Sequence, residues 1–216
     1  MAYGVAVHPD DEPVRDAKTR LRRTLLAARR GRPEHERRAA RAAVSAHLLQ
    51  ALSGMTCIAA YLPLPTEPLD PGALDRLAAG ARVLVPVVTG PAPLDWCEYV
   101  AAHQVSLDRS LRASPRRGAL GIDEPTGPRL GQAAIAAADA VLVPALAVDR
   151  GGHRLGRGGG HYDRTLALLS RLRAERLPPR IALVYDEELL DAVPVDQLDQ
   201  LVTAVITPSS GVSIIG

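Results

Sequence analysis

AVLVPALAVDRGGHRLGRGGGHYD, residues 140 to 163, holds the two features on which the reading of this chain turns. Up to Asp149 it is continuously apolar and rich in Val, Leu and Ala, the pattern of a strand buried on both faces. From Gly156 to Gly160 it carries four glycines in five positions, broken only by Arg157. A helical pattern then runs from about His161 to Arg173. Apolar strand, glycine turn, helix is the order of an α/β protein with a mostly parallel sheet.

The rest of the chain continues that alternation. Short apolar runs rich in β-branched residues, MTCIAAYL (55–62), RVLVPVV (82–88), LDWCEYV (94–100), RIALVYD (180–186) and LVTAVIT (201–207), predict strands. Helical spacing predicts helices over Pro13 to Arg30, Glu34 to Leu52 and Pro71 to Ala79, with an alanine-rich one near 130–138. AVLVPALAVD (140–149) reads as one uninterrupted strand. Residues 103–128 read as irregular and residues 1–12 as a loose tail. The expected fold is three-layer α/β, a mostly parallel central sheet flanked by helices, Rossmann-like without a dinucleotide fingerprint, in a single domain over 13–216.

Composition narrows the class. Apolar residues make up 47% of the 216, which suits a buried core, and the net charge is only +2. The first residues carry acids where a secretory signal needs basic and apolar ones, and the longest apolar stretch, 133–148, is broken by Asp139 and Pro144. Cys57 and Cys97 lack CxxC spacing, so neither a disulfide framework nor a zinc site is suggested. A cytoplasmic monomer without membrane or nucleic-acid partners is the expectation. Arginine is abundant while Lys18 is the sole lysine and Phe is absent. Such a bias discounts surface arginines as signals and draws attention to Lys18.

A glycine-rich turn at a helix N-terminus presents free N–H groups and the positive end of the helix dipole, and Arg154 and Arg157 add charge. This suits phosphate. Asp163, in the first helical turn, is a poor anion ligand but a sensible one for Mg²⁺, which usually takes one or two carboxylates plus phosphate oxygens. There is no GxxxxGK[ST] loop, and a G-x-G-x-x-G match fails because His161 stands at its last glycine. The alternative is a flexible surface hairpin without a ligand.

This segment, with others in order along the chain, resembles the 5-formyltetrahydrofolate cyclo-ligase family. RLGRGGGHYD (154–163) resembles the pattern R-L-G-x-G-x-G-Y-Y-D, and KTRLR (18–22) resembles a K-x-x-L-R helix. YLPLPTEPLD (61–70), GIDEP (121–125) and VPVDQLD (193–199) resemble further family segments. The resemblance implies ATP- and Mg²⁺-dependent closure of 5-formyltetrahydrofolate to 5,10-methenyltetrahydrofolate through an iminium phosphate. It implies that Arg154, Gly156, Arg157, Gly158, Gly159, Gly160, His161 and Tyr162 wrap the ATP phosphates, with Lys18 and Arg22 reaching the nucleotide. Leu62 and Glu67 would contact the reduced folate, with residues 157–161 touching both substrates; Arg157, His161 and Tyr162 would be catalytic and Asp163 and Asp199 would hold the metal. His161 stands where the family has tyrosine, and Thr203 where a second aspartate is common.

Local chemistry bears on these assignments unevenly. Lys18 and Arg22, four apart, share a helix face, which reads equally as a solvated basic face. Pro63, Pro65 and Pro68 stiffen the loop holding Glu67, although an exposed loop acid reads as well there. Asp199 has no local mark separating it from Asp191 or Asp196. Trp96 and Cys97 read as core, and His161 as a phosphate donor, a cation or an aromatic wall. Rival readings are a non-catalytic nucleotide- or folate-binding paralogue, a phosphosugar- or CoA-handling protein and a basic RNA-binding accessory.

Overall fold

The computed structural model describes residues 11–101, 116–117, 123–124 and 127–216. Helices α1 (Asp11–Gly31) and α2 (Glu34–Ala51) precede β1 (Cys57–Ala59), α3 (Gly72–Ala78), β2 (Arg82–Val87) and β3 (Asp95–Glu98). After β4 (Arg116–Arg117) and β5 (Asp123–Glu124) come β6 (Ala140–Pro144), β7 (Ala147–Asp149), β8 (Arg154–Leu155) and α4 (His161–Leu172). The chain ends in β9 (Arg180–Leu183), β10 (Leu189–Leu190), β11 (Ala204–Thr207) and β12 (Gly211–Ile214). The GIDEP segment lies outside the described residues except for the backbone of Asp123 and Glu124, and most of 103–128 does too.

The central sheet has seven strands in the order β12-β11-β9-β6-β1-β2-β3. Its inner pairs are parallel, and the outer pairs β11–β12 and β2–β3 are antiparallel. Alternate side chains along each strand feed opposite faces. Leu142, Ile58 and Val83 join Val44 and Leu48 of α2 and Leu74 of α3 on one side. Val141, Val143 and Leu84 join Leu166 and Leu169 of α4 and the fully buried Trp96 on the other. This is the expected three-layer arrangement, with Trp96 and Cys97 in its core.

The continuous strand expected over 140–149 is in fact two. β6 pairs β1 only as far as Val141, and its ladder with β9 ends at Pro144, which has no N–H to continue a sheet. The chain steps sideways at Ala145 and Leu146, and β7 enters a separate three-stranded sheet, β10-β7-β8. Unbroken apolarity hid the break because both halves are buried. The alanine-rich helix is a 3-10 turn over Gln132–Ala137, and LVTAVIT is strand only from Ala204.

Two consequences position the site. β1 sits at the point where the strand order reverses, with β2 on one side and β6 on the other, and such a switch point opens a crevice at the carboxyl ends of its strands. The small sheet, covered by Leu21 and Leu25 of α1 through Leu146, Leu155 and Val193, delivers the glycine turn to that end.

Candidate active site at the sheet switch point

The glycine turn is shaped by its own backbone. Gly158 and Gly160 have φ of +99° and +65°, a region costly for residues with a Cβ, and Gly160 is the N-cap of α4. At Gly156 an added Cβ would meet no atom within 4 Å, so that glycine faces open space. The turn is anchored upstream by buried Asp149, whose carboxylate accepts the N–H groups of Gly151 (2.9 Å), His153 (3.0 Å) and Val193 (3.1 Å).

α1 packs the face carrying Lys18 and Arg22 against this turn. Arg22 Nε donates to the Gly156 carbonyl at 2.8 Å. Lys18 is buried, not solvated, and Nζ donates to Asp199 Oδ2 at 2.5 Å and Asp196 Oδ2 at 2.6 Å. The contacts to Lys18 set Asp196 and Asp199 apart from Asp191. Buried Arg154 donates through Nη2 to Asp163 Oδ1 at 2.8 Å and through Nη1 to the Gln200 carbonyl at 2.5 Å. Asp163 Oδ1 also accepts the Gln200 N–H at 3.1 Å, which brings it beside Asp199.

These contacts bring Lys18, Arg22, Arg154, Asp163 and Asp199 together on one side of the turn. Among the described residues no three His, Cys, Asp or Glu side chains gather into a cluster able to hold a metal. The two aspartates are nevertheless hard oxygen donors beside a glycine turn at a helix N-terminus, a donor set that fits Mg²⁺ when phosphate oxygens complete it.

The other side of the crevice belongs to Glu67. Its loop leaves β1 and folds back so that Oε2 accepts the Leu64 N–H at 2.9 Å, while Arg41 of α2 donates to its carbonyl at 3.1 Å. Glu67 is 4% exposed, not a solvated loop acid. Burial pushes its carboxyl above the usual range, and the Leu64 N–H, Arg29 and Arg157 oppose that rise. Arg157 of the glycine turn brings Nη2 to 3.7 Å from Glu67 Oε1, joining the two halves of the crevice. Leu62 is half-buried against the core at its edge.

The walls are more aromatic than composition suggests. Tyr61 is buried, and Tyr162 packs against the cores on both faces of the sheet. The Tyr162 hydroxyl is buried with no hydrogen-bond partner among the described residues. Burial, reinforced by Glu67, pushes that phenol up, so it keeps its proton and is an uncommitted donor. His161 turns to a local partner instead. Arg164 Nη2 lies 3.1 Å from Nδ1. Burial and then Arg164 lower its pKa, which favours a neutral ring over a cation facing phosphate.

Sequence reading missed the deepest part of this network. Arg29 is 1% exposed and pairs with Glu188, its Nε and Nη2 each 2.7 Å from a carboxylate oxygen. A signal was there: Arg29 follows Leu25 by four, on the buried face of α1, where an unpaired arginine would be costly. Glu188 had none, because its partner lies far away in sequence.

Comparison with known proteins converges on one family. The 5-formyltetrahydrofolate cyclo-ligase family model matches residues 14–208. The 5-formyltetrahydrofolate cyclo-ligase of Mycolicibacterium smegmatis is 40% identical over 91% of this chain and 96% of its own. The solution structure of Aquifex aeolicus 5,10-methenyltetrahydrofolate synthetase superposes with a TM-score of 0.68 at 26% identity, over 91% of this chain and 92% of that one. The Mycoplasma pneumoniae synthetase, at 19% identity and a TM-score of 0.64 over 87% of this chain and 96% of its own, shares the fold.

Proposed function

The chain belongs to the 5-formyltetrahydrofolate cyclo-ligase family and is an enzyme of it; from that premise we propose that it closes 5-formyltetrahydrofolate to 5,10-methenyltetrahydrofolate at the expense of ATP. The observation that carries this reading is the approach of Arg157 in the glycine turn to within 3.7 Å of buried Glu67, across a sheet switch point. A phosphate-binding turn and a carboxylate suited to N–H donors thereby share one crevice, which a two-substrate phosphoryl transfer needs.

In this reading the formyl oxygen attacks the γ-phosphorus, the bond to ADP breaks, and the formyl group becomes an iminium phosphate. N10 then attacks the activated carbon, loses its proton, and phosphate departs with the former formyl oxygen. Asp163 and Asp199 would hold Mg²⁺, which neutralises charge on the transferred phosphoryl group when bound. The residues of the chain position and stabilise. The free N–H groups from Gly156 to Gly160 and the N-terminus of α4 face the phosphates. Lys18, Arg22 and Arg154 supply positive charge, and Arg157 spans both substrates. Glu67 accepts N–H donors of the pterin beside Leu62, and the Tyr162 hydroxyl donates to a substrate oxygen. Neutral His161 serves as a wall that shapes the turn.

Labelling the formyl oxygen with ¹⁸O tests the reading. The label is expected in inorganic phosphate, one atom per turnover, with ADP formed in equal amount; product without label in phosphate would contradict the iminium phosphate. Glu67→Gln should raise the KM for folate far more than that for ATP.

A further inference from the structure

Arg29 is fastened at every point but one. Its Nε and Nη2 form a fork onto Glu188, and Nη2 also donates to the Ala145 carbonyl at 2.8 Å, just beyond β6. Glu188 is itself fixed, because Oε2 accepts the Tyr185 N–H at 2.9 Å at the end of β9. The remaining nitrogen, Nη1, is buried without a hydrogen-bond partner and lies 4.0 Å from Glu67 Oε1. Two carboxylates thus share one guanidinium in a nearly dry environment: Glu188 is 2% exposed and Glu67 4%.

We propose that Arg29 is a positioning residue for the substrate-binding carboxylate: pinned by Glu188 and Ala145, it aims Nη1 at Glu67 and sets a positive charge beside that carboxylate, which Glu188 partly offsets. This rests on Glu67 being the carboxylate that receives the folate N–H donors. The charged or titratable groups facing Glu67 are Arg29 from α1, Arg41 from α2 at its backbone carbonyl, Arg157 from the glycine turn, Glu188 from beyond β9, Tyr61 from just beyond β1 and Tyr162 from α4. Arg157 is 43% exposed and therefore screened, whereas Arg29 acts through a low-dielectric interior. Burial and Glu188 both push Glu67 toward its protonated form, and Arg29 opposes them.

The geometry demands opposite responses from two substitutions. If ionised Glu67 binds folate, kcat/KM for folate falls on the acid side as Glu67 takes up a proton. Glu188→Gln removes the second carboxylate that shares Arg29 and should move that acid limb to lower pH. The double variant Arg29→Gln/Glu188→Gln removes both charges, and because Arg29 is the stronger influence the limb should move to higher pH. Arg29→Lys keeps the charge while losing the fork, and should leave the limb near its original position although the fold weakens.

The assay is the pH profile of kcat/KM for folate at saturating Mg-ATP, on variants whose folding is checked by circular dichroism. Limbs that stay put, or move in the same direction in both Glu188→Gln and the double variant, overturn the proposal. If the double variant fails to fold, Glu188→Gln decides alone: a lowered limb supports the proposal and a fixed one overturns it. Glu67→Gln separates this inference from its premise. Unchanged folate KM in that variant brings down the assignment of Glu67 and this inference with it, whereas raised KM with unmoved limbs elsewhere overturns only the role of Arg29.

Discussion

Replacing Gly156 by alanine separates the two roles a glycine can have in this turn. Gly156 does not have a positive φ, and an added Cβ would meet no atom within 4 Å. The protein itself therefore gives no reason for glycine there. Restricting the unfolded chain should make Gly156→Ala more stable by about 0.4–1 kcal/mol, raising Tm by roughly 1–4 °C for a chain of this size. If the open space is filled by ATP phosphates, the same methyl group overpacks the complex at a cost of about 1–3 kcal/mol. That weakens ATP binding by roughly 5- to 150-fold. Gly160→Ala is the control: at φ +65° it should lose about 1–2 kcal/mol of stability. Thermal unfolding and titration calorimetry with Mg-ATP read both quantities. A Gly156→Ala variant of lowered Tm and unchanged ATP affinity would refute the reasoning, because the glycine would then serve the fold and not the ligand.

Other consequences follow from single contacts. Asp163→Asn removes the carboxylate that holds buried Arg154, so it should cost about 1–3 kcal/mol in urea unfolding and abolish Mg-dependent turnover in protein that remains folded. Leu142→Ala, in the middle of β6 and fully buried, should cost about 2–5 kcal/mol without changing either substrate KM. Asp139 accepts the N–H groups of Thr56 and Cys57 and the Thr56 hydroxyl, and these bonds lower its pKa. A carboxylate with a lowered native pKa adds stability above its unfolded value that is lost as pH falls through the native one. Urea unfolding between pH 6 and about 3 should therefore show Asp139→Asn losing less stability on acidification than the parent.

The three-layer fold was legible because strand-length apolar runs alternate with helical spacing, and that pattern depends only on neighbours in sequence. The break at Pro144 was not, because buried residues on either side are equally apolar and only the end of the β1–β6 ladder marks the change of sheet. The glycine turn was legible from its composition as a glycine-rich entry to a helix. What the turn contacts was less so. Lys18 and Arg22 declared a shared face, but that Lys18 is buried against Asp196 and Asp199 depends on a segment 178 residues away. Glu188 escaped for the same reason, and the helical spacing that set Arg29 on the buried face was masked by the abundance of arginine in the chain. His161 needed the structure too, since burial and Arg164 are what lower its pKa.

The most direct measurement mixes the purified protein with Mg-ATP and 5-formyltetrahydrofolate and follows the near-UV absorbance of the methenyl product. The account predicts a signal that requires protein, ATP and Mg²⁺ together and disappears in Asp163→Asn. Folded protein that binds ATP yet gives no methenyl signal, or gives one without ATP, would contradict it.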